Sequence, residues 1–463
     1  MYKNNLFNKN YQLYDKLIYS KFVNGRLEQM KIHYKYKTIM VGFAFMSIMA
    51  FWQMYDNIIP LILKNSFSLN EVLIGAIMAI DNILALFLLP LFGTLSDRLH
   101  TPIGKRMPFI LAGTVLTNIA LFFMPMADNS RNLVMFMVMT ALVLLFMSIF
   151  RSPAVALMPD ITPKPLRSKA NAIINLMGTV GAIFALAMIS VLVSEGDTPD
   201  YQPLFISIII FMLLTTSILA LVVKENRWTE EAHKINIELG EEDDDKASDL
   251  SRSGENEHRL HPDKKKSLIY MLLSVALWYM AYNAVTTAFS RYATSIWGTS
   301  GGSYANYLMI ATVVAIISYI PIGILSGIYG RKKVIIAGVI GLMIGFGGCF
   351  FAAKAGIFIT IMFIIVGISW AAINVNSFPM VVDIASDGDI GKFTGYYYTF
   401  AMAAQVLTPI LSGAFLQYVS YKTLFPYAVI FSALALFTMF KVKHGDTLPV
   451  AKKSMLEHLD IED

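Results

Sequence analysis

Gly93-Thr94-Leu95-Ser96-Asp97-Arg98, followed five residues later by Gly104-Lys105-Arg106, is a polar island between two apolar runs. A second island of the same form begins 230 residues further on, as Gly323-Ile324-Leu325-Ser326-Gly327 with Gly330-Arg331-Lys332-Lys333. Another echo pairs Met158-Pro159-Asp160-Ile161 and Lys169 with Val381-Val382-Asp383-Ile384 and Lys392, at an offset of 223 for both the Asp and the Lys. Loop signatures repeating at nearly one offset point to a duplicated half. Parallel repeats related by an axis along the membrane normal place a binding site at their interface, near mid-membrane.

The material around these islands is that of a membrane protein. Of 463 residues, 56% are hydrophobic and 15% charged, with a mean hydropathy of +0.58; a soluble chain carries roughly 25% charged residues. Apolar runs long enough to cross a bilayer lie near 38–63, 71–92, 108–127, 132–157, 170–193, 204–223, 267–290, 304–328, 334–353, 357–379, 393–416 and 423–440. The expectation is an all-α membrane protein of twelve transmembrane helices in two pseudo-symmetric six-helix bundles. Its parts are a tail (1–37), the first bundle (38–223), a linker (224–266), the second bundle (267–440) and a second tail (441–463). The linker carries Glu241-Glu242-Asp243-Asp244-Asp245 and reads as a solvated tether.

Whole classes of chemistry drop out. Cys349 is the only cysteine, and all seven histidines (His33, His100, His233, His258, His261, His444 and His458) fall in polar stretches. No thiol redox centre, haem ligand or zinc site is expected in the membrane. Neither HExxH nor GxSxG occurs, and no nucleophile–base pair stands within the spans, so no enzyme and no cofactor are expected.

Lysine and arginine report orientation, because cytoplasmic loops retain them. With both termini inside, 31 of the 37 fall on the inner side, five fall outside and Arg151 lies within a span. That asymmetry, rather than any nucleic-acid partner, accounts for the net charge of +5. The 1–37 segment has no continuous apolar core, so it is not a cleavable signal peptide; it either lies on an anionic inner leaflet or stays disordered. A monomer in contact with lipid is expected, in a plasma (inner) membrane with both termini cytoplasmic.

The loop residues carry a resemblance. Gly93, Asp97, Arg98, Gly104, Lys105 and Arg106 match the signature G-x-x-x-D-[RK] then G-[RK]-[RK] that follows span 2 in the major facilitator superfamily. The five-residue spacer Leu99 to Ile103, with Met107-Pro108-Phe109, resembles the longer variant of sucrose-transporter-like members, close to the glycoside, pentoside and hexuronide cation symporters. So do Arg151-Ser152-Pro153 through Pro159-Asp160 and the Asn374 to Pro379 run. The resemblance implies an inner gate at Gly93, Asp97, Arg98, Arg106, Arg151 and Asp160. Asp97 would sit near the start of span 11, around Lys392 and Phe393, when the inside is closed. Arg98 or Arg106 would reach Asp160, and Arg151 would snorkel to the inner interface or pair with Asp97. Gly327 stands where the second copy would carry its acid, which favours the first loop as the gate.

Ionisable groups within spans cost roughly 2.5–3.5 kcal/mol each on insertion scales and mark function by default. Asp56 lies eight residues before Lys64 and Asp81 ten after Glu71, or about 12 and 15 Å from the outer end. Either acid is placed to carry a coupling proton, Asp81 being the deeper. Melibiose-type relatives organise a sodium site with acids on spans 2 and 4, but Asn132 to Leu157 holds none, which favours H⁺.

Sugar sites offer aromatic faces to ring C–H groups and amides to hydroxyls. The sets that recur at helical spacing are Trp52 with Asp56, Trp278 with Tyr282 and Asn283, Trp370 with Asn374, and Tyr398 with Gln405. Aromatics also form packing stripes and interface belts. The function expected is proton-coupled symport of a disaccharide or other glycoside by alternating access. A drug or metabolite exporter is the alternative, although Gly178-Thr179-Val180-Gly181 on span 5 lacks the exporters' proline. A sugar sensor that binds without transporting is another.

Overall fold

The computed structural model describes residues 2–196, 199–238, 262–384 and 390–446, without side chains for 2–33, 168, 390 and 391. Twelve of its helices are long and apolar enough to cross a membrane. The first half comprises α1 (Tyr2–Asn65), α2 (Glu71–Arg98), α3 (Met107–Asn129), α4 (Leu133–Ile161), α5 (Arg167–Leu192) and α6 (Gln202–Val222). A short helix α7 (Glu225–Glu238) follows. The second half comprises α8 (Pro262–Trp297), α9 (Ala305–Tyr329), α10 (Arg331–Phe351), α11 (Ile357–Ile384), α12 (Ile390–Tyr418) and α13 (Leu424–Lys441).

Lipid offers backbone groups no hydrogen-bond partner, so each span is helical throughout. Several helices overrun their apolar runs and carry their polar ends into the interface: α2 continues to Arg98 and α4 to Ile161. The asparagines ahead of α2 and α4 cap them, Asn70 accepting from the Leu73 N–H and Asn132 from the Met135 N–H. Two features differ from the sequence reading. The segment before Thr38 continues the first helix, whose apolar part is Tyr34–Asn65. The linker opens with α7, an amphipathic helix that buries Trp228 and Ala232; the Glu241–Asp245 run lies outside the described residues.

The duplication is visible in the packing. In the first half α1 packs on α5 and α6, α3 on α4 and α6, and α2 on α4. In the second, α8 packs on α12 and α13, α10 on α11 and α13, and α9 on α11. Each pair in one half has its counterpart six spans later in the other.

The halves meet through α2 with α12, α5 with α9 and α1 with α8, at the face opposite the one rich in Lys and Arg. There Gly75 faces the Pro409 carbonyl, Gly413 faces the Glu71 carbonyl, and Ser190 donates to Asn306 across 2.9 Å. A Cβ on Gly75 would collide with backbone, whereas one on Gly327 or Gly395, at the basic ends of α9 and α12, would have nothing within 4 Å. The same helices are jammed together at one end and bare at the other, so the interface is shut opposite the basic face and parted at it.

Gly75→Val should therefore overpack the seam by about 1–3 kcal/mol and lower the thermal midpoint of the purified protein. Gly327→Val should leave that midpoint close to the parent's.

Candidate transport site

Three ionisable side chains lie near one another in the first half. Asp56 (α1), Asp81 (α2) and Arg151 (α4) are close enough that Asp56 feels both other charges and Asp81 feels Arg151. The Arg151 guanidinium carbon lies 5.6 Å from the Trp52 ring centroid, a cation–π distance. Asn82 donates its amide to Asp81 at 2.8 Å. Trp52 packs edge-on against Phe51 and Tyr55, and its indole N–H has no partner. Arg151 thus sits with the mid-span acids rather than at the loop, against the expectation that it snorkels or joins Asp97. The physical reason is the length of α4: Arg151 is ten residues from the end at Ile161, or about 15 Å short of it.

An aromatic group stands in the second half. Tyr282 (α8) and Trp370 (α11) stack face to face, with centroids 3.7 Å apart and planes at 7°, and Tyr279 meets Trp370 edge-on at 5.5 Å. The buried Asn283 amide nitrogen has no partner. On α12, Tyr398 lies 6.0 Å from Phe378 and 5.4 Å from Tyr397, whose hydroxyl pairs with Ser377 at 3.0 Å. Asn374 and Gln405 are half-buried.

Trp278 departs from expectation, since it is wholly buried in the core of its half. The α8 rings that meet Trp370 are those of Tyr279 and Tyr282, three residues apart, while the buried Trp278 indole N–H has no partner. Tyr55, Tyr279 and Tyr397 were not singled out in the sequence. Only their one- or three-residue distance from a chosen aromatic or acid could have flagged them.

At the basic face, Arg106 binds Asp160 at 3.0 Å, donates to the Gly93 carbonyl at 3.1 Å, and also bonds Asp97 and Ser96. Lys105 lies 3.2 Å from Asp160. Of the two candidates for Asp160 it is Arg106 that reaches it, while Arg98 is exposed. The second copy keeps the pair without its first acid: Arg331 binds Asp383. Gly327 therefore removes one carboxylate from that loop but not its ion pair.

Each copy also receives an acid that the sequence reading missed. The buried Glu225 carboxylate accepts the backbone N–H groups of Lys105, Arg106 and Met107, each at 2.9 Å, at the start of α3. In the second copy Asp446, past α13, accepts the Lys332 N–H at 3.0 Å at the start of α10. A carboxylate there satisfies orphan donors and faces the positive end of the helix dipole. Gly104 and Gly330, at φ +121° and +91°, turn the chain into these cradles in a conformation that other residues rarely adopt.

Helix α7 ties the basic ends together. Asn226 donates to the Thr101 and Pro102 carbonyls, Asn236 accepts from the Lys164 N–H, and Glu231 pairs with Lys37 at 2.5 Å. The Lys37 ammonium lies over the rings of Tyr34 and Trp228.

Glu225→Ala leaves three N–H groups without an acceptor and should cost about 1–3 kcal/mol, read as a lower thermal midpoint. The Lys37 ammonium, aided by Arg227, holds the Glu231 carboxyl below the usual glutamate range. Its contribution is complete above the unfolded-state value and is lost as pH falls through the lowered folded value. Proteolytic nicking of α7 should increase across that acid window, and Glu231→Gln should abolish the pH dependence.

Residues 41–242 and 271–458 match the family model described as the Major Facilitator Superfamily. Solved structures share the fold at low identity. The nucleoside transporter NupG is 14% identical with a TM-score of 0.65, covering 88% of this chain and 99% of its own. The xylose transporter XylE from E. coli, in an inward open conformation, is 16% identical with a TM-score of 0.61, covering 92% and 98%. A D-xylose-proton symporter is 15% identical with a TM-score of 0.63, covering 90% and 100%. No curated protein matches in direct sequence comparison. With the family pattern running through both halves of a duplicated twelve-helix fold, the chain belongs to the major facilitator superfamily of membrane transporters.

Proposed function

We propose that this transporter symports a proton with a sugar, a disaccharide or other glycoside, by alternating access, and that it belongs to the sucrose-transporter-like branch. The five-residue spacer between Arg98 and Gly104 supports the branch. The basic face is assigned to the cytoplasm of a plasma membrane, with both termini inside, and the working unit is the monomer.

The observation that carries this reading is the Asp56, Asp81 and Arg151 cluster. Two carboxylates beside one guanidinium sum to one negative charge in a medium that penalises net charge. One bound proton makes the cluster neutral and able to cross between states. Asp81 is assigned the proton, Asp56 is its coupled neighbour, and Arg151 is the fixed counter-charge. The sugar is held between Trp52 on one side and the Tyr282–Trp370 stack on the other, with Asn283, Asn374, Tyr398 and Gln405 offering polar contacts. Arg106 with Asp97, Asp160 and Gly93 forms the first half's side of the inner gate; these bonds lie within one half and hold while the basic face is parted, and the gate closes when the second half swings against them.

The test is uptake of a labelled glycoside panel into vesicles under an inward pH gradient. One sugar should accumulate with the parent protein. Asp81→Asn should abolish accumulation while sparing exchange down a gradient. Binding without accumulation would mark a sensor, and accumulation that survives Asp81→Asn would move the proton to Asp56.

A further inference from the structure

Glu71, the first residue of α2, is 1% exposed although it stands at the rim of the bundle. Across the seam, the Arg291 guanidinium on α8 donates to its Oε2 at 3.0 Å and is itself 4% exposed. The Tyr421 hydroxyl, in the turn before α13, binds the other carboxylate oxygen. Lys64 at the end of α1 lies 3.3 Å away and is partly exposed. The Glu71 backbone N–H donates to the Gln417 side chain on α12. Glu71 is thus held by three elements of the second half, its carboxylate by two of them and its backbone N–H by the third, and Gly75 and Gly413 bring the backbones of α2 and α12 together beside it.

We infer that Glu71 and Arg291, with Tyr421, are the latch that holds the face opposite the basic one shut. This rests on the alternating-access reading but not on the sugar or the proton. A buried ion pair is nearly balanced against the hydration its partners regain when the seam opens, so it can close tightly without trapping the closed state. The balance also sets a sign. Neutralising one partner leaves the other charged and buried, which penalises closure; neutralising both removes that penalty.

The readout is thiol accessibility. The native Cys349 is fully buried, so a cysteine placed at Ser190, beside Asn306 in the seam and away from the latch, reports opening. In purified protein reconstituted in nanodiscs, Glu71→Gln should raise the maleimide rate at Ser190→Cys roughly tenfold or more, the equivalent of about 1.4 kcal/mol. Adding Arg291→Met should return the rate toward the parent's. Tyr421→Phe, which removes only the hydroxyl donor, should give a smaller increase and stands in should Glu71→Gln not fold. An unchanged rate in Glu71→Gln, or in Tyr421→Phe where that variant stands in, overturns the inference. So does a double variant as reactive as Glu71→Gln alone. The labelling requires no transported substrate, so it reports on the latch even if no glycoside is moved.

Discussion

Lipid cannot hydrogen-bond a peptide group, and everything else in this molecule depends on that constraint. It makes every span a helix and pushes loops to the two faces. Lipid also withholds the hydrophobic drive that packs soluble helices, so association depends on close approach and on polar contacts. The glycines show where approach is closest: Gly42, Gly178 and Gly181 bring α5 against α1, and Gly338, Gly341 and Gly345 bring α10 against α11.

Duplication then allows one set of contacts to serve twice. Each half has the same helix pairs, an Arg–Asp pair at the basic face, and a carboxylate from beyond its sixth span seated on the N-terminus of its third. The basic end of each half is stapled internally, by α7 in the first and by the segment after α13 in the second. Among the described residues, contact between the halves is concentrated at the opposite seam, through small residues and the buried Glu71–Arg291 pair. A fold held this way can rock without repacking either core.

Much of the charged site was legible. Asp56, Asp81 and Arg151 are the ionisable residues in the interior of the apolar runs, Glu71 standing at the first position of its run, and insertion cost singles the three out. Their company was not legible: Arg151 reads from the outer end as near the interface, and only the full length of α4 returns it to the acids. The aromatic side was less legible. Trp278 and Tyr279 are adjacent, equally bulky and equally apolar in context, yet one is core and the other meets Trp370.

The sequence by itself determined the class of solvent, the number of membrane spans, the duplication and the face that gathers positive charge, because these are written in run length, loop composition and a repeated offset. Tertiary structure decided which side of each helix looks inward, which cation meets which acid, and which end of the interface is closed. A membrane helix is apolar toward lipid and toward its neighbours alike, so its hydrophobic period does not mark an inside. The partners of Glu71 and Glu225, moreover, lie on helices 220 and about 119 residues away in sequence.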